Sequence, residues 1–288
     1  METNGNKIHN IQELGTGDIQ KRIREGLDTI LIPMGSCERH GNPFTPLGLD
    51  GLVSGAVVER TARETDVLHT PLMPFGYAPE HFGREGEGCG TISFRAETYR
   101  CILEEISRSL IYHGFSKLIF VSLHSSNVVV AEDVLLSLRT KTGAFVAFYG
   151  GRENKQAIEI IGSTPDRLSS DIECSVAMAL IEERFKNDNF LSHGYRVHAP
   201  KWLGDAFYKR AGTGIAVGFD GAENITVGMD DFEYVSPLSH AEQQSSEATP
   251  EKGRRLLDAL ASHLTAFVNE IKSLDIDVRE RSYPDRVR

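Results

Sequence analysis

The stretch that decides the fold is the apolar run TILIPM at residues 29–34, which leads directly into the cluster GSCERHG at residues 35–41. A short apolar run of this kind predicts a buried β-strand. Residues two apart in an extended chain lie on one side, so we expect Glu38 and His40 to face one point while Arg39 turns away. A carboxylate and an imidazole that converge in this way are typical of a metal site.

A second apolar run, LIFVSL at residues 118–123, leads in the same way into His124-Ser125-Ser126-Asn127. In open α/β sheets, ligands bind beyond the carboxyl ends of the strands. Since both polar clusters fall at such ends, we expect them to meet. Taken alone, His124 would more often be hydrogen-bonded into the rim of the sheet, and Asn127 is assigned a supporting role in the loop.

Short apolar runs alternate with longer segments of helical period along the chain. Strands are predicted at 29–34, 67–73, 117–123 and 144–149, and helices near 50–64, 97–113, 128–141, 170–186 and 250–274. This alternation predicts an α/β fold with a mostly parallel central sheet and helices on both faces. We expect one domain at 1–274, a C-terminal extension at 275–288, and a flap, binding excursion or oligomer contact at 187–245.

Composition excludes several classes of partner. The sequence carries 31 Lys and Arg against 41 Asp and Glu, a net charge of −10, without a basic block. We therefore expect no nucleic acid and no anionic membrane as partner, which leaves small uncharged or cationic substrates. No signal-peptide core and no apolar stretch near the roughly 18 residues of a spanning helix are present, so a cytoplasmic protein is expected. The cysteines lack a CxxC spacing and are expected to be reduced thiols.

Two further carboxylates are candidate ligands with a simpler alternative. Asp50 offers two oxygens that suit a bridging position between metals, but it is also placed to N-cap a helix that begins at Gly51. Glu173 closes the sequence Ser170-Asp171-Ile172-Glu173, which is typical of a capping box. In favour of a ligand role, the other candidates need one more carboxylate if each of two metals is to have three protein ligands.

Several stretches together match a known set of motifs. GSCERHG at 35–41 and PLGLD at 46–50 are similar to G-S-x-E-Q-H-G and P-L-x-T-D, and FGYAPEH at 75–81 and GTIS at 90–93 are similar to Y-G-x-S-x-E-H and G-T-I-S. The run at 124–127 stands where H-G-G-N is usual, Glu173-Cys174-Ser175 where E-T-S is usual, and ATPEKG at 248–253 matches the opening of a C-terminal helix. These are motifs of the creatininase (creatinine amidohydrolase) family, which the chain resembles over most of 29–272, except at 187–245.

The resemblance implies a three-layer α/β/α sandwich, a homo-oligomer that is often a hexamer, and a site with two divalent metal ions. One ion would be held by Glu38, Asp50 and His124, and the other by His40, the shared Asp50 and Glu173. Zinc and manganese are the expected ions, with iron as an alternative. The implied activity is hydrolysis of a carbon–nitrogen bond in a small cyclic or formyl amide by hydroxide attack.

The chain departs from the family at one functional position. Leu168-Ser169-Ser170 stands where the family has H-A-G, so a histidine expected to move protons is missing. His81 and Asp171 are the proposed replacements, and His81 lies in a glycine-rich loop able to approach a substrate. Anchoring of that loop is the alternative role of His81.

Two other functions stay open at this point. A related branch of the family hydrolyses a carbon–carbon bond in oxidised cyclic polyols such as diketo-inositols, and the serines at 125 and 126 are compatible with a polar ligand of that kind. A catalytically inactive, metabolite-binding relative is the other alternative. Trp202, His193 or His198 are candidates for a lid over the site, with a surface or subunit contact about equally expected.

Overall fold

A parallel sheet forms the centre of the computed structural model, which describes residues 7–150, 155–185, 190–209, 216–219, 222–243 and 246–283. Its strands are β1 (Thr29–Met34), β2 (Leu68–His69), β3 (Lys117–Ser122) and β4 (Phe145–Tyr149), in the order β2-β1-β3-β4. β1 and β3 pair over their whole length, from Thr29 opposite Lys117 to Met34 opposite Ser122. The carboxyl ends of these two strands therefore lie side by side.

Helices connect the strands and cover the sheet. They are α1 (Thr16–Arg24), α2 (Leu49–Thr65), α3 (Ala96–Tyr112), α4 (Ser125–Thr142), α5 (Lys155–Ile161), α6 (Leu168–Leu180), α7 (Glu182–Phe185), α8 (Asp231–Tyr234), α9 (His240–Gln243) and α10 (Pro250–Ile271). Each predicted helix is present, although the one predicted at 170–186 is divided into α6 and α7, and α1, α5, α8 and α9 were not predicted. Among the described helices, none combines the length and the apolar character needed to cross a bilayer.

The side chains of each strand point alternately to the two faces of the sheet, and this divides the core into two layers. Leu31, Ile119 and Val121 pack with apolar side chains of α2, α6 and α10 on one face of the sheet. Ile30 and Phe120 belong to the opposite layer, which includes apolar side chains of α3 and α4. Because successive side chains of a strand point to opposite faces, strands this apolar must be buried on both sides. The predicted three-layer α/β/α sandwich is confirmed.

β2 is much shorter than the predicted strand at 67–73. The chain stays beside β1 beyond His69, since the backbone N–H groups of Thr70 and Met73 donate to Leu31 and Pro33 at 2.9 and 3.0 Å. Pro71, however, has no N–H to donate, which interrupts a regular ladder. The prediction was therefore too long as a strand.

The segment at 187–245 forms two small antiparallel sheets in its described part. β5 (Tyr195–Val197) pairs with β9 (Val235–Pro237), and β6 (Phe207–Lys209), β7 (Ala216–Phe219) and β8 (Ala222–Thr226) form the other sheet. Tyr195, Val217, Met229 and Tyr234 belong to a separate apolar cluster. The segment therefore has a core of its own beside the sandwich.

Beyond α10, the described part of the C-terminal extension lies against the sandwich. The Arg281 guanidinium donates to the carbonyl oxygens of Ile111 and Phe115 at 2.8 and 3.0 Å. Residues 284–288 lie outside the described residues. The oligomeric state stays a prediction.

The layer that contains α10 gives a test of the sandwich. Leu264 is completely buried, so Leu264→Ala is expected to lower the free energy of unfolding by about 2–5 kcal/mol through lost burial and a cavity. Urea unfolding measures this. Leu136→Ala on α4 is the matched control, because Leu136 is 68% exposed and its truncation should change stability by less than about 0.5 kcal/mol. Equal losses for the two variants would contradict this packing.

Candidate metal centre

A cavity of about 360 Å³ lies where the chain leaves β1 and β3, and the two polar clusters meet there. Its lining comes from the strand ends, from the loop at 75–81, from α4 and α6, and from the segment at 187–245. The lining residues are Glu38, Arg39, His40, Gly41, His81, Ser122, Leu123, His124, Ser125, Val128, Phe148, Gly150, Ser169, Glu173, Tyr195, Val197, Lys209, Asp231, Tyr234 and Val235.

At the inner wall, one imidazole faces two carboxylates. His124 Nδ1 lies 2.9 Å from Glu38 Oε2 and 3.5 Å from Asp50 Oδ2, and each of these residues is only 3% exposed. The other ring nitrogen, Nε2, lies 2.8 Å from the Tyr77 carbonyl oxygen. Because a carbonyl only accepts, this contact requires a hydrogen on Nε2. In the neutral ring the lone pair of Nδ1 then faces the carboxylates, an arrangement that needs a proton or a cation between them.

The electrostatics of this group favour added positive charge. Burial lowers the pKa of His124, but Glu38 and Asp50 outweigh burial and raise it well above the ordinary value. Burial raises the pKa of Glu38, whereas the charges of His124 and His81 outweigh that effect and leave it lowered. Opposite charge within a few ångströms is worth more in a buried site than in water. A divalent cation would supply the same compensation.

A second imidazole and carboxylate pair lies across the cavity. His40 Nδ1 is 3.4 Å from Glu173 Oε2, and the Tyr195 hydroxyl donates to that same oxygen at 2.8 Å. His40 Nε2 is buried and has no hydrogen-bond partner among the described residues. A buried polar nitrogen without a partner costs free energy, which a bound cation would remove. The donor set of imidazole nitrogens and carboxylate oxygens fits Zn²⁺ or Mn²⁺.

Both capping interpretations of the carboxylates are wrong. Helix α2 begins at Leu49 with Gly48 as its N-cap, so Asp50 lies inside the helix, where its Oδ2 accepts from Ser36 Oγ at 3.1 Å. Helix α6 begins at Leu168 with Arg167 as its N-cap. Glu173 therefore lies in the second turn of α6 rather than at its start. Both carboxylates are held by helices that project them toward an imidazole.

His81 ends a short 3₁₀ helix, Pro79–His81, and reaches the same cavity. Its Nε2 lies 3.8 Å from Glu38 Oε1 and 3.7 Å from Glu80 Oε1, and its Nδ1 lies 3.1 Å from Asp231 Oδ2. Burial lowers the pKa of His81, but the surrounding carboxylates, with Glu38 first, outweigh it and raise the pKa to about 9. Glu38, His81 and His124 each offer one ligand atom, and these atoms lie within 4.8 Å of one another, so His81 lies among the groups that could bind a metal ion or hold a proton there.

Asp171 is directed away from this group. Its carboxylate accepts hydrogen bonds from Ser163 and Ser246, and it is not among the described residues that line the cavity. Leu168, at the position of the missing family histidine, is buried in the apolar layer with α10. Of the two proposed replacements for that histidine, only His81 lies in the cavity.

Asn127 ties the loops around the site together. Its Nδ2 donates to the Gly35 carbonyl oxygen and to Ser122 Oγ, both at 3.0 Å, and its Oδ1 accepts from the Tyr77 N–H at 2.8 Å. The same turn that carries Tyr77 thus positions the carbonyl that binds His124. Asn127 has the supporting role that the sequence indicates.

The segment at 187–245 supplies side chains that sequence reasoning missed. Tyr195, Lys209 and Asp231 line the cavity, whereas the predicted lid residues do not. Trp202 is 58% exposed and donates to Glu233, and the His193 ring packs edge-on against Phe44 at 4.6 Å. His198 contacts the neighbouring Ala199 carbonyl. No periodicity in this irregular segment indicates which of its side chains turn inward.

Comparison with known sequences identifies the family. The model of the creatininase family, described as creatinine amidohydrolase, matches residues 12–268. Because the match covers most of the 288 residues, the chain belongs to the creatininase family.

Three curated relatives have different names. The chain is 28% identical to creatinine amidohydrolase of Pseudomonas putida over 131 residues, which is 45% of this chain and 50% of the relative. It is 34% identical to the mycofactocin precursor peptide peptidase of Mycobacterium ulcerans over 135 residues, 45% of this chain and 52% of the relative. It is 32% identical to 3-dehydro-scyllo-inosose hydrolase of Thermotoga maritima over 114 residues, which is 38% of this chain and 35% of the relative. The chain thus spans about half the length, or less, of the curated relatives it matches.

Solved structures support the fold. A manganese form of creatininase has a TM-score of 0.65 and 20% identity, and the match covers 93% of this chain and 100% of that chain. A zinc–zinc form of a creatininase variant has a TM-score of 0.67 and 19% identity, with the same coverage. At this level of identity the likeness shows the shared sandwich fold.

The packing of Gly41 against Tyr195 gives a test of the site geometry. A Cβ at position 41 would lie 2.5 Å from the Tyr195 ring, so Gly41→Ala should displace the ring and its hydrogen bond to Glu173. We expect a loss of about 1–3 kcal/mol in the free energy of unfolding. Thermal and urea unfolding measure it. Gly55→Ala inside α2 is the control, since nothing lies within 4 Å of its new Cβ and no loss is expected. A fully stable Gly41→Ala variant would contradict the contact.

Proposed function

We propose that this protein is a divalent-metal-dependent hydrolase that cleaves the carbon–nitrogen bond of a small cyclic or formyl amide. The observation that carries the proposal is the group of buried imidazoles and carboxylates at one cavity, with His124 Nδ1 facing two carboxylates and His40 Nε2 lacking a hydrogen-bond partner in the described part of the chain. Membership of the creatininase family supports the same chemistry.

The proposed ligands divide into two sets that share one carboxylate. Glu38, Asp50 and His124 would hold one metal ion, and His40, Asp50 and Glu173 would hold the other. The similar creatininases solved in manganese and zinc–zinc forms support these two metals as candidates. Bound there, such ions lower the pKa of a water molecule and polarise a carbonyl group, which makes hydrolysis feasible near neutral pH.

The remaining work falls to side chains of the protein. His81 Nδ1 lies 3.1 Å from Asp231 Oδ2, which leaves Nε2 on the side of Glu38, where a protonated ring can donate a proton to the leaving nitrogen of an amide. Phe148, Val197 and Tyr234 provide apolar and aromatic surface against which a small ring can pack. A cavity of about 360 Å³ lies at the lower end of the range for small-molecule sites, which favours a compact substrate.

A second candidate function is hydrolysis of a carbon–carbon bond in an oxidised cyclic polyol. The observation that favours it is the 32% identity to 3-dehydro-scyllo-inosose hydrolase, together with the Ser125 side chain at the cavity in place of a family glycine. A hydroxyl group there can hydrogen-bond a polyol. The same ligands would serve both reactions, so only turnover separates them.

Metal analysis tests the ligand set directly. After loading with Zn²⁺ or Mn²⁺ and removal of free metal, we expect about two ions per chain in the unaltered protein. Glu38→Gln removes a negative charge and a ligand oxygen and should lose at least one ion. Glu251→Gln, on the exposed surface of α10, is the matched control and should keep the full content. Undiminished metal content in Glu38→Gln would refute the assignment.

Turnover by the metal-loaded protein tests the reaction. A panel of creatinine, hydantoins, small lactams and formyl amides is compared with a diketo-inositol, with product formation followed by mass spectrometry. Hydrolysis in the amide group, lowered roughly 100-fold or more by Glu38→Gln, is the expected result. Turnover of the diketo-inositol alone would transfer the proposal to the second candidate. Two bound metals with no turnover of either group would count against both and favour an inactive, metabolite-binding relative.

A further inference from the structure

Asp231 links three parts of the chain at the wall of the cavity. It is the first residue of α8, in the segment at 187–245, and its side chain is only 5% exposed. Its two oxygens accept from Arg39, with Nε to Oδ2 and Nη2 to Oδ1 both at 2.7 Å. The oxygen Oδ2 also lies 3.1 Å from His81 Nδ1.

These contacts define which nitrogen of His81 carries hydrogen toward Asp231. The guanidinium of Arg39 can only donate, so both Asp231 oxygens must accept, and a carboxylate in this setting has no hydrogen of its own to offer. The pKa of Asp231 agrees: burial raises it, but the hydrogen bonds from His81 and Arg39 outweigh burial and leave it lowered. His81 Nδ1 must therefore be the donor. The ring is then held with Nε2 on the side of Glu38 and Glu80.

We propose that Asp231, held by Arg39, is a positioning residue for His81 that keeps Nδ1 protonated and aims Nε2 into the cavity. A catalytic role for the contact between Asp231 and His81 rests on the proposed function, whereas the orientation of the His81 ring is independent of that function. In this arrangement, the segment at 187–245 supplies the group that orients the proton donor. Arg39, between the two candidate ligands Glu38 and His40, lines the cavity, so the prediction that it turns away was wrong, and it anchors that segment to the site.

A purely structural role is the competing explanation. The ion pair between Arg39 and Asp231 could fasten α8 to the sandwich without any effect on the imidazole. Asp231→Asn separates the two roles because it keeps the size of the side chain. Arg39 can keep only one good acceptor, the amide oxygen. If the amide nitrogen then faces His81, Nδ1 has to accept a hydrogen bond rather than donate one. The neutral ring then prefers its hydrogen on Nε2 instead of Nδ1.

Nitrogen-15 NMR of the zinc-loaded protein, labelled at histidine, tests this orientation without any substrate. The chain contains 10 histidines, and the His81 signals are assigned as those lost in His81→Asn. In the unaltered protein, His81 Nδ1 should carry a proton whether Nε2 does or does not. In Asp231→Asn, Nδ1 should lose that proton or exchange between the two forms. An unprotonated Nδ1 in the unaltered protein, or identical His81 signals in Asp231→Asn, would overturn the proposal.

Glu87→Gln is the matched control. Glu87 also pairs with Arg39, at 3.2 Å, but it is 45% exposed, and among the described residues it makes no hydrogen bond or ion pair with His81. Its substitution should leave the His81 signals unchanged. If Asp231→Asn fails to fold, as judged by circular dichroism, Arg39→Lys provides the second variant: it loosens the two-point hold on Asp231, and the His81 signals should broaden or shift. Unchanged His81 signals in folded Arg39→Lys would count against the anchoring role.

Kinetics give a second, separate measurement. With whichever amide or polyol is turned over, Asp231→Asn should lower kcat roughly 10- to 100-fold while KM stays within about twofold, because the orientation of His81 matters in the proton transfer. A loss of kcat/KM of the same size that comes only from a higher KM would indicate a structural role. If no substrate is turned over, the proposed function fails while the NMR result still decides the orientation of His81.

Discussion

The burial of several ionisable side chains in one small volume is the constraint on which the site depends. Glu38 and Asp50 both face His124 Nδ1, and all are removed from water, so their mutual repulsion is poorly screened. Such a group is stable only if positive charge is added or the carboxylates take up protons. The lowered pKa of Glu38 indicates the first of these outcomes.

The fold meets this constraint by holding the loop that follows β1 between packed elements. The parallel pairing of β1 and β3 brings two polar clusters to one edge of the sheet. The turn after β1 then approaches α2 so closely that a Cβ on Gly35 would lie 2.8 Å from the Cα of Gly51. This approach, with the Asn127 hydrogen bonds on the other side, leaves the chain after β1 little freedom. Groups held by packed elements lose less entropy when they bind a ligand than groups on mobile chain.

Much of the fold could be predicted because its signals are local. β1 coincides with the predicted strand at 29–34, since a buried parallel strand needs an uninterrupted apolar run. The roles of the two helix carboxylates were harder to predict, because Asp50 and Glu173 satisfy the sequence rules for helix caps. Only the observed helix starts at Leu49 and Leu168 exclude a capping role. α1 is only nine residues long and contributes a single apolar pair at helical spacing, Ile19 and Ile23, which explains why it was not predicted.

The contribution of the segment at 187–245 could not be predicted, because Tyr195 and Asp231 reach the cavity through long-range contacts that no local pattern records. Asp171 is a different case. A helix turns by about 100° per residue, so residues four apart share a face and residues two apart lie on nearly opposite sides. Ser169 and Glu173 are four apart and both line the cavity, which turns Asp171 toward Ser163 and Ser246. A ligand role for Glu173 and a proton-transfer role for Asp171 are therefore incompatible on geometric grounds, and of the two proposed proton donors only His81 lines the cavity.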